Sequence, residues 1–217
     1  MSEAKRNECT APHPCWPSGR FSVIYADPPW SYRGRKQFGF AGDVGVDSGG
    51  AVMHYQTMPV ADICALPVAD ICEKDAILFL WIPSPLLPDG LAVASAWGFQ
   101  YGTVAFVWHK QRTNPGYYTL SECELCFAFK RGRIPTPRSR KQRQFVSELR
   151  QRHSAKPYEV RNRISGMFPT QSKVELFYRG APPEGWTVWG NEVDKANNEL
   201  SVNEVAEEIH QANKENL

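Results

Sequence analysis

No apolar run in this chain approaches the roughly 18 residues that a bilayer-spanning helix requires, so nothing in it reads as a membrane span. The N-terminus is polar and carries no apolar signal core, which argues against secretion and for a cytoplasmic protein. Six cysteines in 217 residues, with no secretory signal, do not make a disulfide framework. Cys123 and Cys126 have CxxC spacing, and Cys9, His13 and Cys15 are the residues that could complete a zinc site with them. A lone CxxC in a strand-like run is more often buried thiol, so no metal is expected. There is no internal repeat, no appended RNA-binding module and no zinc-finger pair. Charge of one sign is not in excess either: the net charge is +2. It is unevenly spread, with about a dozen Lys and Arg against two acids from Lys130 to Arg163, and an acidic tail beyond Asn191. A basic segment of this kind suits a phosphate-rich partner, or is simply a solvated surface.

What is present is the composition of an ordinary core. Apolar residues make up 42% of the chain and charged residues 22%, which fits one domain with short extensions. Residues 1–20 read as an arm, 21–194 as the domain and 195–217 as an acidic tail. Strands are expected at Phe21–Ala26, Ala76–Ile82, Thr103–Trp108, Cys123–Lys130, Lys173–Arg179 and Trp186–Trp189. Helices are expected at Val60–Leu66, Leu86–Trp97 and Pro157–Met167. The glycine-rich stretch 31–56 and the basic stretch 131–155 read as long functional loops. Strands alternating with helices predict an α/β fold, a mostly parallel twisted sheet with helices on both faces. Such sheets bind ligands beyond the carboxyl ends of their strands. Asp27–Trp30, the residues after Trp81, the loop after Trp108 and the residues after Arg179 all fall at such ends.

The most informative motif is Asp27-Pro28-Pro29-Trp30, directly after the first strand. An aromatic amine is a poor nucleophile because its lone pair is delocalised into the ring. Acceptors aimed at its two N–H bonds free that lone pair as a new C–N bond forms. A carboxylate at a strand end supplies one acceptor and the carbonyl of the next residue the other. Prolines hold that backbone stiff, and a flat aromatic can stack on the base. This is positioning and preorganised electrostatics rather than covalent catalysis.

A second set of elements lies at the other end of the chain. His153-Ser154-Ala155-Lys156-Pro157 is followed by Lys173-Val174-Glu175-Leu176-Phe177-Tyr178-Arg179, then Gly185-Trp186, then Trp189-Gly190-Asn191-Glu192. In this order, with the tetrapeptide ahead of them, they resemble the adenine-N(6) methyltransferase family. That family is typified by the seventy-kilodalton catalytic subunit of the eukaryotic messenger-RNA adenosine methyltransferase and has many bacterial and phage relatives. The resemblance covers about residues 21–194. It implies a Rossmann-like fold using S-adenosylmethionine, with the catalytic strand ahead of the cofactor strand. The absence of GxGxxG after the first strand agrees with that permuted order.

Carried over residue by residue, the resemblance implies that Asp27 and the Pro28 carbonyl hold the target amine, Pro29 shapes the turn and Trp30 stacks on the base. Asp27, Lys156, Phe177, Arg179, Asn191 and Glu192 are the implied cofactor contacts, with Lys156 on the methionine carboxylate. The residues after Arg179 are Gly180-Ala181-Pro182, without the polar groups that some relatives place on the ribose. Trp81, Tyr32 and Tyr55 are candidate base contacts. Arg131, Arg133, Arg138, Arg140, Lys141 and Arg143 are candidate phosphate contacts. The resemblance thus implies methyl transfer to the 6-amino group of adenine, in-line and without a metal, in an extruded base. Compact bacterial and phage relatives point to DNA, with RNA as the runner-up, and to action as a monomer or homodimer in the cytoplasm of a bacterium or a phage-infected host. A catalytically silent nucleic-acid-binding subunit and a cytosine-N(4) enzyme remain alternatives.

Overall fold

The computed structural model describes residues 16–31, 57–115, 118–149 and 156–190. The expected loop over 31–56 and the acidic tail therefore lie almost wholly outside the described residues, with most of the N-terminal arm. Seven strands form a single sheet in the order β5-β3-β4-β2-β1-β6-β7. The strands are β1 (Phe21–Ala26), β2 (Cys72–Ile82), β3 (Gln100–Pro115), β4 (Leu120–Arg131), β5 (Phe145–Ser147), β6 (Lys173–Leu176) and β7 (Thr187–Trp189). The helices are α1 (Val60–Ala65), α2 (Leu87–Ala96) and α3 (Tyr158–Met167). Pairing is parallel for β1 with β2, β1 with β6, β6 with β7 and β3 with β5. It is antiparallel for β2 with β4 and β3 with β4.

The middle of the sheet is apolar on both sides because helices cover both faces. Alternation along β1 sends Ile24 and Ala26 into one core with Ile63 of α1 and Val93, Ala94 and Trp97 around α2. It sends Val23 and Tyr25 into the other, with Val160 and Ile164 of α3 and Phe168. Burying each such Val, Ile or Phe contributes roughly 1.5–3 kcal/mol. Helix α2 has Pro in its first turn and stops at Gly98, whose φ is +82°. There Gly98 N–H donates to Ser95 O and Phe99 N–H to Ala94 O, each at 2.9 Å, which satisfies the last carbonyls. Trp97 Nε1 donates to Ile63 O at 2.9 Å and ties α2 to α1.

Gly90 allows α2 to lie directly on β2: a Cβ there would overlap the Ile82 side chain, with Cγ1 at 2.7 Å. Gly90→Ala is therefore expected to destabilise the protein by about 1–3 kcal/mol through overpacking. A urea melt would show it as a lowered midpoint with an unchanged slope, and an unchanged midpoint would refute the tight approach.

Three local expectations are corrected. β6 stops at Leu176 rather than Arg179, because Phe177 takes a positive φ of 62° and turns the chain out of the strand. No loop follows Trp108: β3 runs on to Pro115 and pairs with the start of β4 as a two-stranded ribbon. The stretch 131–155 is not loop throughout, since Phe145–Ser147 adds an edge strand beside β3. Cys123 and Cys126 do not face one another: three residues apart in a strand, they project to opposite sides, Cys123 exposed and Cys126 in the core.

Candidate active site

The carboxyl end of β1 presents Asp27. The turn after it is held by backbone bonds: Trp30 N–H donates to Pro28 O and Met58 N–H to Pro29 O, both at 2.8 Å. Pro28 O keeps one further lone pair for a ligand donor. Lys156, just ahead of α3, reaches back over the sheet to Asp27. Its Nζ lies 2.9 Å from Asp27 Oδ2 and 3.2 Å from Glu124 Oε2. Glu124 in turn lies 3.5 Å from Lys110 Nζ. The result is an alternating row of charges, Asp27, Lys156, Glu124 and Lys110, contributed by β1, the start of α3, β4 and β3.

Glu124 and Lys110 are absent from the candidate residues read from the sequence. A signal for both exists there. Glu124 is in phase with Cys126, and Lys110 with Phe106 and Trp108, all of which face the α3 core. A charge in register with core residues at a strand end has to be paired.

The charges act on one another. Loss of hydration pushes the Asp27 carboxyl above its ordinary range; Lys156 opposes the rise, Glu124 adds to it and Arg179 opposes it. Ionised Asp27 therefore costs the fold stability, as functional groups commonly do. Burial would lower Lys156, but Asp27 and Glu124 together hold its ammonium well above the usual lysine value. Burial would raise Glu124, yet Lys156 and Lys110 bring it below the usual carboxylate range. The contribution of Glu124 is thus full above the ordinary carboxylate range and is lost as pH falls through its folded value. That of Lys156 is full below the ordinary lysine value and is lost as pH rises through its folded one.

Beneath the corner lies a buried aromatic floor. Lys156 Nζ sits 5.4 Å from the centre of a Trp81 ring. Trp81 Nε1 donates to Tyr25 OH at 2.8 Å, and Tyr25 meets Trp186 edge-on at 6.1 Å. Arg161 of α3 makes a two-pronged pair with Glu175 of β6, 2.6 and 3.0 Å, and fixes the helix that carries Lys156.

This geometry changes two assigned roles. Trp30 is 5% exposed, and its Nε1 donates to Trp81 O at 3.0 Å. It closes the end of β2 and has no free face for a base. Trp81 is 1% exposed, roofed by Lys156, and is likewise floor rather than base contact. Phe177 is partly buried and meets Trp189 edge-on at 5.5 Å, beyond β6. Arg179 is near enough for its charge to act on Asp27. Tyr32, Tyr55, Asn191 and Glu192 lie outside the described residues.

The basic candidates do not converge on the corner. Arg131 pairs with Ala76, in the half of β2 remote from Trp81, and its guanidinium donates to Ala69 O at 3.0 Å. Arg133 N–H donates to Asp75 Oδ1 at 2.9 Å. Five residues of strand, about 17 Å, separate Ala76 from Trp81. The reason is the antiparallel course of β4, which carries its basic end away from the strand ends that hold Asp27. Arg138 adjoins Ser139, whose N–H donates to Met167 O at the end of α3 remote from Lys156. Arg140, Lys141 and Arg143 are exposed on that flank, with Arg143 O accepting from Arg163 at 2.6 Å.

The order of these elements is that of a known family: the family model described as MT-A70 matches residues 21–192. The chain belongs to the MT-A70 family. A relative from Mycoplasma sp., the type II methyltransferase M.MunI, is 40% identical over 206 residues, covering 88% of this chain and 87% of that protein. A putative N(6)-adenosine-methyltransferase MT-A70-like protein of Medicago truncatula is 26% identical over 184 residues, 81% of this chain but 27% of its own length. The Arabidopsis thaliana N(6)-adenosine-methyltransferase MT-A70-like protein is 25% identical over 185 residues, 24% of its length. The chain thus spans most of the Mycoplasma protein and about a quarter of the plant ones. The seven-stranded α/β sheet is the Rossmann-like methyltransferase fold that MT-A70 membership implies. Among the described residues, no helix is long and apolar enough to cross a membrane.

Proposed function

We propose that this MT-A70 chain transfers a methyl group from S-adenosylmethionine to the 6-amino group of adenine in DNA. The observation that carries the proposal is Asp27 at the carboxyl end of β1, 2.9 Å from Lys156 and with Glu124 on the far side of that lysine. The donor set suits the cofactor. An ammonium has three donors, so Lys156 can keep Asp27 and Glu124 and still bind the methionine carboxylate. The two carboxylates suit a ligand bearing ammonium and sulfonium charge. Arg179, Phe177, Asn191 and Glu192 are proposed for its adenosine. When bound, S-adenosylmethionine supplies an electrophilic methyl group.

Asp27 accepts one N–H of the adenine amine and Pro28 O the other, which turns the nitrogen lone pair toward the methyl carbon. As the C–N bond forms, the sulfonium–methyl bond of a bound donor would break and leave a neutral thioether, positive charge develops on nitrogen, and Asp27 stabilises it. The proton then leaves nitrogen through Asp27 or directly to water. With Trp30 and Trp81 in the core, Tyr32 and Tyr55 are the proposed stacking partners. Their role is to offset the few kcal/mol that extrusion of the base costs. Such a protein acts where its polymer is, in the cytoplasm of a bacterium or a phage-infected cell.

DNA is favoured over RNA because the chain is 40% identical to the type II methyltransferase and only 26% identical to the N(6)-adenosine-methyltransferase-like relative. Competing duplex DNA against RNA of the same sequence for labelled methyl groups tests this. Label on adenine of the DNA is the expected result. Label confined to RNA overturns the substrate, and transfer to neither, with no heat of cofactor binding, overturns the enzyme.

A further inference from the structure

The β3–β4 ribbon stands beyond the sheet on the side of the acidic corner, and apart from Lys110 and Glu124 near its base nothing in the chemistry above uses it. Its base is Trp108 paired with Glu124, the residue that touches Lys156. From there β3 and β4 run outward together to the pairs Asn114–Ser121 and Pro115–Leu120. Leu120 is four residues from Glu124, about 13 Å along the strand. That length matches about four base-pair steps of duplex.

The ribbon is bent and braced where it leaves the sheet. Between His109 and Asn114 the pairing register shifts, so β3 carries extra residues opposite β4. Gln111 inside this bulge has φ +53°, uncommon for a residue with a side chain. Bulges of this type re-aim a strand and are frequent beside active sites. Ser147 of β5 clamps the bulge, with its Oγ 3.0 Å from Gln111 Nε2 and 3.2 Å from His109 Nδ1. Glu122 holds His109 from β4 at 3.5 Å. An open cleft of about 620 Å³ lies there, lined by His109, Gln111, Arg112, Thr113 and Glu122. Four of these five can donate a hydrogen bond, and Arg112 is exposed. Further out, Tyr118 is 100% and Leu120 63% exposed, large apolar groups with no counterpart among the described residues.

We propose that this ribbon is the arm that grips the duplex beside the extruded adenine. This inference rests on the DNA reading above. A two-stranded ribbon is one of the shapes that the major groove admits. Arg112 and Thr113 in the bulge take a backbone phosphate, and Tyr118 and Leu120 lie along the groove, within about four base pairs of the target. Exposed Arg112 and Tyr118 on an arm that runs out beyond the sheet fit a nucleic acid better than a second copy of this chain.

The test uses the full chain with Arg112→Ala, and separately with Tyr118→Ser and Leu120→Ser together. All three side chains are exposed, so the core is untouched. Binding to a 30-base-pair duplex is followed by fluorescence anisotropy across a salt series, and S-adenosylmethionine binding by calorimetry. The expected result for Arg112→Ala is about tenfold weaker duplex binding, a salt slope shallower by about one, and unchanged cofactor affinity. The double variant is expected to lose about tenfold with the slope unchanged. Duplex affinity and slope equal to wild type in both variants overturn the arm, even where the wild type methylates DNA. Conversion of a wild-type dimer to monomer by the double variant, seen by sedimentation, overturns it in favour of a self-association surface. A wild type that binds duplex tightly but transfers no methyl group leaves the arm standing and removes the enzymatic reading.

Discussion

Asp27→Ala is expected to lose two or more decades of methyl transfer while keeping much of its affinity for cofactor. The scale is that of one preorganised electrostatic contact at the reacting atom. The substitution removes the acceptor for the amine and leaves Lys156 on Glu124 alone, 3.2 Å away, so the lysine stays charged and in place. The rest of the turn is independent of the carboxylate, because its bonds run between Trp30 and Pro28 and between Met58 and Pro29. Single-turnover transfer measured beside calorimetric cofactor binding separates the two effects. A variant that transfers methyl groups at the wild-type rate would falsify the role given to Asp27.

The second large effect concerns Lys156. Lys156→Met removes the strongest charge holding the Asp27 carboxyl down, while burial and Glu124 continue to push it up. On the proposed mechanism activity needs Asp27 ionised, so it falls as pH drops through the Asp27 value. That acidic limb is expected to move to higher pH, with activity near neutrality lowered by about two decades. Glu124→Gln is expected to do the reverse to the limb. It takes away a negative charge that raises Asp27, and the limb moves to lower pH. Profiles of kcat/KM against pH for the two variants check the signs. Limbs that shift in the same direction, or not at all, mean that Asp27 is not the group that titrates.

The parts of this molecule legible in the chain are those whose meaning is local. The apolar runs before Asp27 and around Leu78 are strands because they cannot be anything wet, and the strand end places the carboxylate. The resemblance puts Asp27 and Lys156 at one cofactor site, but the ion pair between them is seen only in the structure. What was not legible depended on direction and facing. The charge of Arg131 and Arg133 says nothing about which end of the sheet holds them, and the reversed course of β4 takes them to the far one. An indole after two prolines can turn in or out; Trp30 turns in because the Trp81 carbonyl at the end of β2 accepts its N–H. Glu124 begins a strand of apolar residues and looks like a boundary charge until β4 is laid beside β2.

The interior position of β1 sets an order of events during synthesis. Its two neighbours come from Cys72–Ile82 and Lys173–Leu176, the second about 150 residues downstream. A nascent chain still tethered to the ribosome before Leu176 has emerged holds Asp27 on a strand with one side bare. The acidic corner is thus framed on both sides only after Leu176 has emerged, so a polypeptide interrupted earlier carries the motif without the sheet that positions it.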